Sequence, residues 1–151
     1  MKRIALSLAL LALATAAAGQ VTVKDPWVRA TVPAQHATAA FMQLVAAQGT
    51  RLVAASSPVA GMAEIHEMTM VDGVMKMRAI KALDLPAGKA VVLDPGGYHV
   101  MLLELKSQVR VGDVVPLTLV FEDRDSRRTT VDVKAPVRAL ADAPAPAMPM
   151  K

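Results

Sequence analysis

The chain has 151 residues, a formal net charge of +4, ten Met, three His, no Cys and four aromatic residues, Trp27, Phe41, Tyr98 and Phe121. Without cysteine there is no disulfide scaffold, no Cys-ligated zinc or iron–sulfur site, no thiol nucleophile and no thioredoxin-type redox pair. The length suits one domain, since domains commonly run to roughly 100–150 residues, and no Lys/Arg run with interleaved aromatics offers a nucleic acid phosphate and base contacts.

At the N-terminus, Lys2 and Arg3 precede an uncharged apolar run from Ile4 to Ala18 that ends in Ala16-Ala17-Ala18-Gly19. A charged start, a short apolar stretch and a small-residue exit read as a secretory signal peptide. The run is shorter than the roughly 20 apolar residues of a spanning helix. Residues 1–20 are therefore expected to be a signal segment, cleaved after a residue between Ala16 and Gln20, which makes the protein exported and free of a membrane anchor. Loss of Lys2 and Arg3 lowers the charge from +4 to +2, and no Cys is present to carry a lipid.

From Val21 onward, β-type runs alternate with turn signals and no 3.6-residue period is sustained. Strands are predicted at Val21 to Ala30, Ala39 to Ala47, Arg51 to Ser57, Ala63 to Met70, Val74 to Ile80, Lys89 to Leu93, His99 to Lys106, Val115 to Glu122 and Arg128 to Lys134. The breakers between them include Asp72-Gly73, Pro86-Ala87-Gly88 and Asp94-Pro95-Gly96-Gly97. Many short strands at this spacing mean an all-β antiparallel sandwich or barrel. Pro116 favours an edge strand or a strand start, and Arg124 to Arg128 reads as a solvated hairpin tip. The folded domain is expected to span 21–136, followed by an Ala/Pro/Met tail over 137–151.

The Met and His residues carry the chemistry. His66-Glu67-Met68 and His99-Val100-Met101 each place an imidazole and a thioether two residues apart, on one face of a strand. Asp72-Gly73 is a strong two-residue hairpin signal. That loop pairs Val71 with Val74, Met70 with Met75, Met68 with Met77 and His66 with Ala79. His66, Met68, Met70, Met75 and Met77 then share one face, with Ile65, Glu67, Lys76 and Arg78 on the other. The charged face reads as the solvent side, so the Met face should point inward or toward another surface. A Met stripe alone is ordinary adaptable packing. Imidazole paired with thioether, however, is the donor set that suits monovalent copper.

The spacing of His66, Met77, His99 and Met101, with ten, twenty-one and one intervening residues, resembles that of the periplasmic copper chaperones called PCuAC. Local similarity accompanies it in Glu64-Ile65-His66-Glu67-Met68-Thr69-Met70, in Pro95-Gly96-Gly97-Tyr98-His99-Val100-Met101 and in Val114-Val115-Pro116-Leu117-Thr118-Leu119. The resemblance implies a cupredoxin-like antiparallel Greek-key β-sandwich that binds one Cu(I) through His66, Met77, His99 and Met101, with Met68 as a supporting or transient ligand. It implies a monomeric periplasmic carrier that delivers copper to the copper centre of cytochrome c oxidase, alone or with a Sco-type partner. Family members often carry a His- and Met-rich extension, whereas this tail offers only Met148 and Met150.

The remaining candidates are assigned blander roles. His36 is expected to be solvated in a polar loop, Trp27 to anchor the sandwich, Met42 to fill the core and Glu64 to be a solvated carboxylate; the alternatives are a supplementary copper ligand for His36, a partner-docking role for Trp27 and orientation of the His66 imidazole for Glu64. A blue-copper electron carrier needs a Cys thiolate, which the chain lacks. No nucleophile with a base, no carboxylate pair and no phosphate-binding Gly loop suggests an enzyme. The other surviving reading is an exported interaction or assembly domain whose Met-rich face binds a protein.

Overall fold

The structure, a computed structural model, describes residues 20–139. The signal segment up to Gly19 and the tail methionines Met148 and Met150 lie outside the described residues. The regular elements are strands: β1 Val21–Arg29, β2 Thr38–Ala46, β3 Thr50–Ser56, β4 Ala60–Val71, β5 Val74–Ile80, β6 Leu83–Leu85, β7 Ala90–Leu93, β8 His99–Leu105, β9 Val114–Asp123 and β10 Arg128–Arg138.

The strands run in the order β5-β4-β8-β2-β1-β10-β9-β3-β6, and β7 also pairs with β2. The first five form one layer of a sandwich and the last four the other, the two being joined where the end of β10 lies parallel to β1 at Val28↔Val137 and Arg29↔Arg138. The expectation of an all-β sandwich holds, with this parallel pair as an exception to antiparallel order. Alternation builds the core: Val115, Leu117, Leu119 and Phe121 from β9 meet Ala40, Met42 and Leu44 from β2 and Val100 and Leu102 from β8. All are at most 2% exposed. Met42 is a core residue, as predicted.

Three local differences have physical causes. The short β6 was not predicted because Leu83-Asp84-Leu85 gives one cycle of alternation, although Leu83 and Leu85 are buried. Pro116 takes the strand-start place of the two expected, as the third residue of β9, and not an edge strand, since β9 runs between β10 and β3. Pairing with β3 begins only at Thr118↔Ser56, and Ser57 donates its hydroxyl to the Pro116 carbonyl at 2.6 Å. The missing N–H of proline is thus tolerated where the ladder on that side has ended. Finally, β10 continues through buried Val137 and Arg138, so ordered strand extends two residues past the predicted domain end.

The 72–73 turn forms as predicted. Asp72 (φ 51°) and Gly73 (φ 78°) both adopt the left-handed conformation that a type I′ hairpin requires. Val71↔Val74, Met70↔Met75, Met68↔Met77 and His66↔Ala79 are the observed pairs. At the other hairpin tip, Asp123 Oδ1 accepts hydrogen bonds from the backbone N–H groups of Asp125 and Arg127, each at 2.9 Å.

Candidate metal centre

β4 is the strand on which the site is built. On one side it pairs with β5 through the hairpin; on the other it pairs with β8, with His66 directly opposite His99 and Glu64 directly opposite Met101. Residues opposite one another point to the same face of a sheet. Glu64, His66, Met68 and Met70 of β4 therefore share a face with His99 and Met101 of β8 and with Met75 and Met77 of β5. Ile65 and Val100, the neighbours of opposite parity, are buried in the sandwich core. The Met/His face is consequently the outer face of its layer.

That placement corrects the expected orientation of the hairpin. The face bearing Glu67, Lys76 and Arg78 also carries Ile65, which enters the core, and Ile80, which packs against it. The hairpin extends beyond the second layer, so β5 is exposed on both faces, with Met77 49% exposed on one and Val74 57% exposed on the other. Alternation shows which residues share a face, but not which face the second layer covers.

The imidazoles of His66 and His99 stand with ring centroids 5.6 Å apart. Nε2 of His66 lies 2.8 Å from Oε2 of Glu64, and Nδ1 of His99 lies 3.2 Å from the carbonyl oxygen of Gly97. Both partners accept only, so those nitrogens carry the protons of the neutral rings. The remaining nitrogens, Nδ1 of His66 and Nε2 of His99, bear lone pairs, are buried and have no hydrogen-bond partner. A buried unpartnered acceptor is costly in a protein interior. A metal-ligating histidine shows this arrangement, with its other nitrogen held by a carboxylate or a backbone carbonyl. Glu64 is therefore a positioning residue for His66, the second of its two expected roles, while its side chain stays 38% exposed.

Thioethers flank the pair. Met101, half-buried, lies diagonally from His66 on β8; Met77 lies diagonally from His66 on β5. Met68 follows His66 on the same face, directly opposite Met77, and the β4–β8 register also sets it diagonally from His99. The structure thus brings His66, His99, Met101 and Met68 onto neighbouring positions, with Met77 one strand farther from His99. Met62, also on this face and opposite Leu103, borders Met101 at the far side. His36 is exposed in its loop beyond the other end of β8, where its carbonyl accepts from Leu105 N–H, and takes no part.

Aromatic groups wall the site on the β2 side. Trp27, Ala39 and Phe41 form a small buried cluster separate from the main core, and Met101 packs against it. The Phe41 ring lies 4.6 Å from Trp27 and 6.2 Å from His99 between centroids, and the Arg29 guanidinium lies 5.5 Å from its centre. Trp27 packs as the expected anchor, but on the outer face of its layer. A bulge between Lys24 and Trp27, with Asp25 at φ 47°, shifts the register of β1 by one residue. The shift turns Val28 inward and Trp27 outward.

Burial holds the His99 pKa below the ordinary histidine value, helped by the adjacent His66 and Arg29 and opposed by the Gly97 carbonyl. The folded ring therefore resists protonation where the unfolded chain accepts it. Stability of the metal-free protein is expected to be flat above about pH 6.5 and to fall as pH drops from there through the depressed folded value. Denaturant midpoints at pH 7.5 and pH 5 check this: His99→Ala should flatten the dependence, and an unchanged slope would remove His99 as its source.

The fold is similar to that of solved copper-related domains. The copper-bound PCuAC domain from PmoF2 superposes with a TM-score of 0.61 at 26% identity, covering 80% of this chain and 94% of that one. The solution structure of CuI-DR1885 from Deinococcus radiodurans gives a TM-score of 0.60 at 34% identity, covering 84% of each chain. The class that this sandwich belongs to is the PCuAC domain. A family model described as "Putative lipoprotein LpqE-like" matches residues 21–137, and the chain belongs to that family. "Putative lipoprotein Lxx21020" of Leifsonia xyli subsp. xyli is 34% identical over 117 residues, covering 76% of this chain and 69% of its own length.

Proposed function

We propose that the protein is an exported copper carrier that holds one Cu(I) between His66 Nδ1, His99 Nε2 and the thioethers of Met77 and Met101. The observation that carries this reading is the facing pair of imidazoles whose buried lone pairs have no protein partner. The similar PmoF2 domain, which is copper-bound, and DR1885 in its CuI form support it. Imidazole and thioether are borderline and soft donors that favour Cu(I), and neither must lose a proton to bind when the rings are already neutral. Met77 and Met101 approach from opposite flanks of the imidazole pair, leaving Met68 as a reserve donor beside it.

Neutral, exchangeable thioethers also suit release. Met77 is half exposed, so an incoming donor can replace it on the metal without unfolding the site. Transfer then proceeds by ligand exchange with no free ion. The receiver in this reading is the copper-bearing subunit of cytochrome c oxidase or a Sco-like protein, and the work is delivery, not catalysis. In this reading residues 1–20 act as the export signal, 21–138 as the copper-binding domain and the remainder as a tail, and the monomer works in the periplasm. Among the described residues no helix is long and apolar enough to cross a membrane. The family and the Leifsonia relative are named as lipoproteins, whereas this sequence has no cysteine for a thioether-linked lipid.

An anaerobic Cu(I) competition titration followed by X-ray absorption tests the reading. One tightly held Cu(I) with nitrogen and sulfur neighbours is expected, and a shell without sulfur would sink it. Comparing Met77→Leu with Met68→Leu then assigns the flanking thioether: the Met77 change should weaken binding more. Glu64→Ala frees His66 Nε2 and should lower affinity by about 10- to 100-fold, the usual effect of losing a partner behind a ligand.

A further inference from the structure

Met70 and Met75 are not needed by the four-ligand site, yet they continue its face to the hairpin tip. They are directly opposite one another and 63% and 46% exposed, respectively. Counting from the two-residue turn, Val71↔Val74 is the hydrogen-bonded closing pair. Met70↔Met75 is then a non-hydrogen-bonded pair, and so is Met68↔Met77 two steps further in. In such pairs the Cα atoms approach to about 4.5 Å and the side chains are closest. Two successive rungs of the hairpin therefore each present two thioethers side by side, and the inner rung adjoins the imidazole pair. Apart from Asp72 in the turn itself, the charged side chains of the paired hairpin, Glu67, Lys76 and Arg78, have the opposite parity, with Arg78 Nε donating to Glu67 Oε1 at 2.6 Å. The donors along the Met face of the tip are neutral and soft.

We infer that Met70 and Met75 form a second, weaker soft-cation site at the hairpin tip, through which Cu(I) enters and leaves the inner site by way of Met68 and Met77. The inference rests on the inner cluster being a Cu(I) site. Each hop exchanges one Cu–S bond for another: copper stays monovalent, and no proton or electron moves. Two flexible, half-exposed thioethers hold the ion loosely because they supply fewer donors than the inner cluster and no imidazole. Their exposure lets the tip meet a partner's own donors first, ahead of the buried imidazoles.

The test uses the full chain with methyl-labelled methionine, Ag(I) as a diamagnetic soft probe and NMR detection. The first equivalent should shift Met77, Met101 and the two histidine rings. Further Ag(I) should shift Met70 and Met75 together, at least about a hundredfold more weakly. In Met70→Leu/Met75→Leu, which keeps side-chain size on an exposed surface, Cu(I) affinity should stay within about threefold while release to a chelator slows by about fivefold or more. Met70 and Met75 signals that do not move in excess Ag(I), or a release rate unchanged in the double variant, would overturn the inference. The latter outcomes would leave the exposed tip to protein contact. If Met70 and Met75 respond but the histidine rings never do, the inner-site reading falls and the entry role of the tip falls with it, leaving soft-cation binding at the tip alone.

Discussion

Replacing His99 with alanine is expected to lower Cu(I) affinity on the order of a thousandfold while the fold persists, since a lost ligand should exceed the 10- to 100-fold cost of losing a partner behind one. His99 is 3% exposed, its Nδ1 is held by Gly97 and its Nε2 has no protein partner. The substitution therefore removes one metal donor together with one uncompensated polar atom. Met101→Ala should act in the same direction, because packing against the Trp27–Phe41 cluster holds Met101 in place beside the imidazole pair. Competition against a Cu(I) chelator reads the affinity and circular dichroism the fold. Undiminished competition in both variants would remove both residues from the site.

Phe41→Ala is expected to cost about 3–5 kcal/mol of stability, the usual range for deleting a buried phenylalanine. Phe41 is 1% exposed and lies between Trp27, Arg29 and His99. Its loss opens the wall that excludes water from the imidazole pair, so Cu(I) binding should weaken as well. Denaturant unfolding of the metal-free protein measures the first effect, with the midpoint lowered and the slope unchanged. A loss below about 1 kcal/mol would show that the outer cluster is dispensable padding.

The hairpin was the most legible part of the site. Asp72-Gly73 dictates the turn, the turn dictates the register, and the observed Met68↔Met77 and Met70↔Met75 pairs follow from four neighbouring residues. Glu64 was half legible: its parity with His66 was evident, but only the side-chain geometry showed the 2.8 Å contact. The Trp27 wall was not legible, because a one-residue bulge at Asp25 reverses the alternation that would have assigned Trp27 to the core. Nor was Gly97 as the partner of His99, since that contact depends on how the 94–98 loop leaves β7 to enter β8.

By itself the sequence determined the all-β class, the two His-x-Met clips, the hairpin register and, through the absence of cysteine, which copper chemistries are closed to this chain. Each of these depends on residue chemistry or on dihedral preferences a few residues apart. The tertiary structure decided that His66 meets His99 across β4 and β8, although β5, β6 and β7 intervene along the chain. It also decided that the Met face turns outward. Those outcomes depend on which strand wins each place in the sheet and on which face the second layer covers. Both are set by burying Ile65, Val100 and their neighbours in a common core.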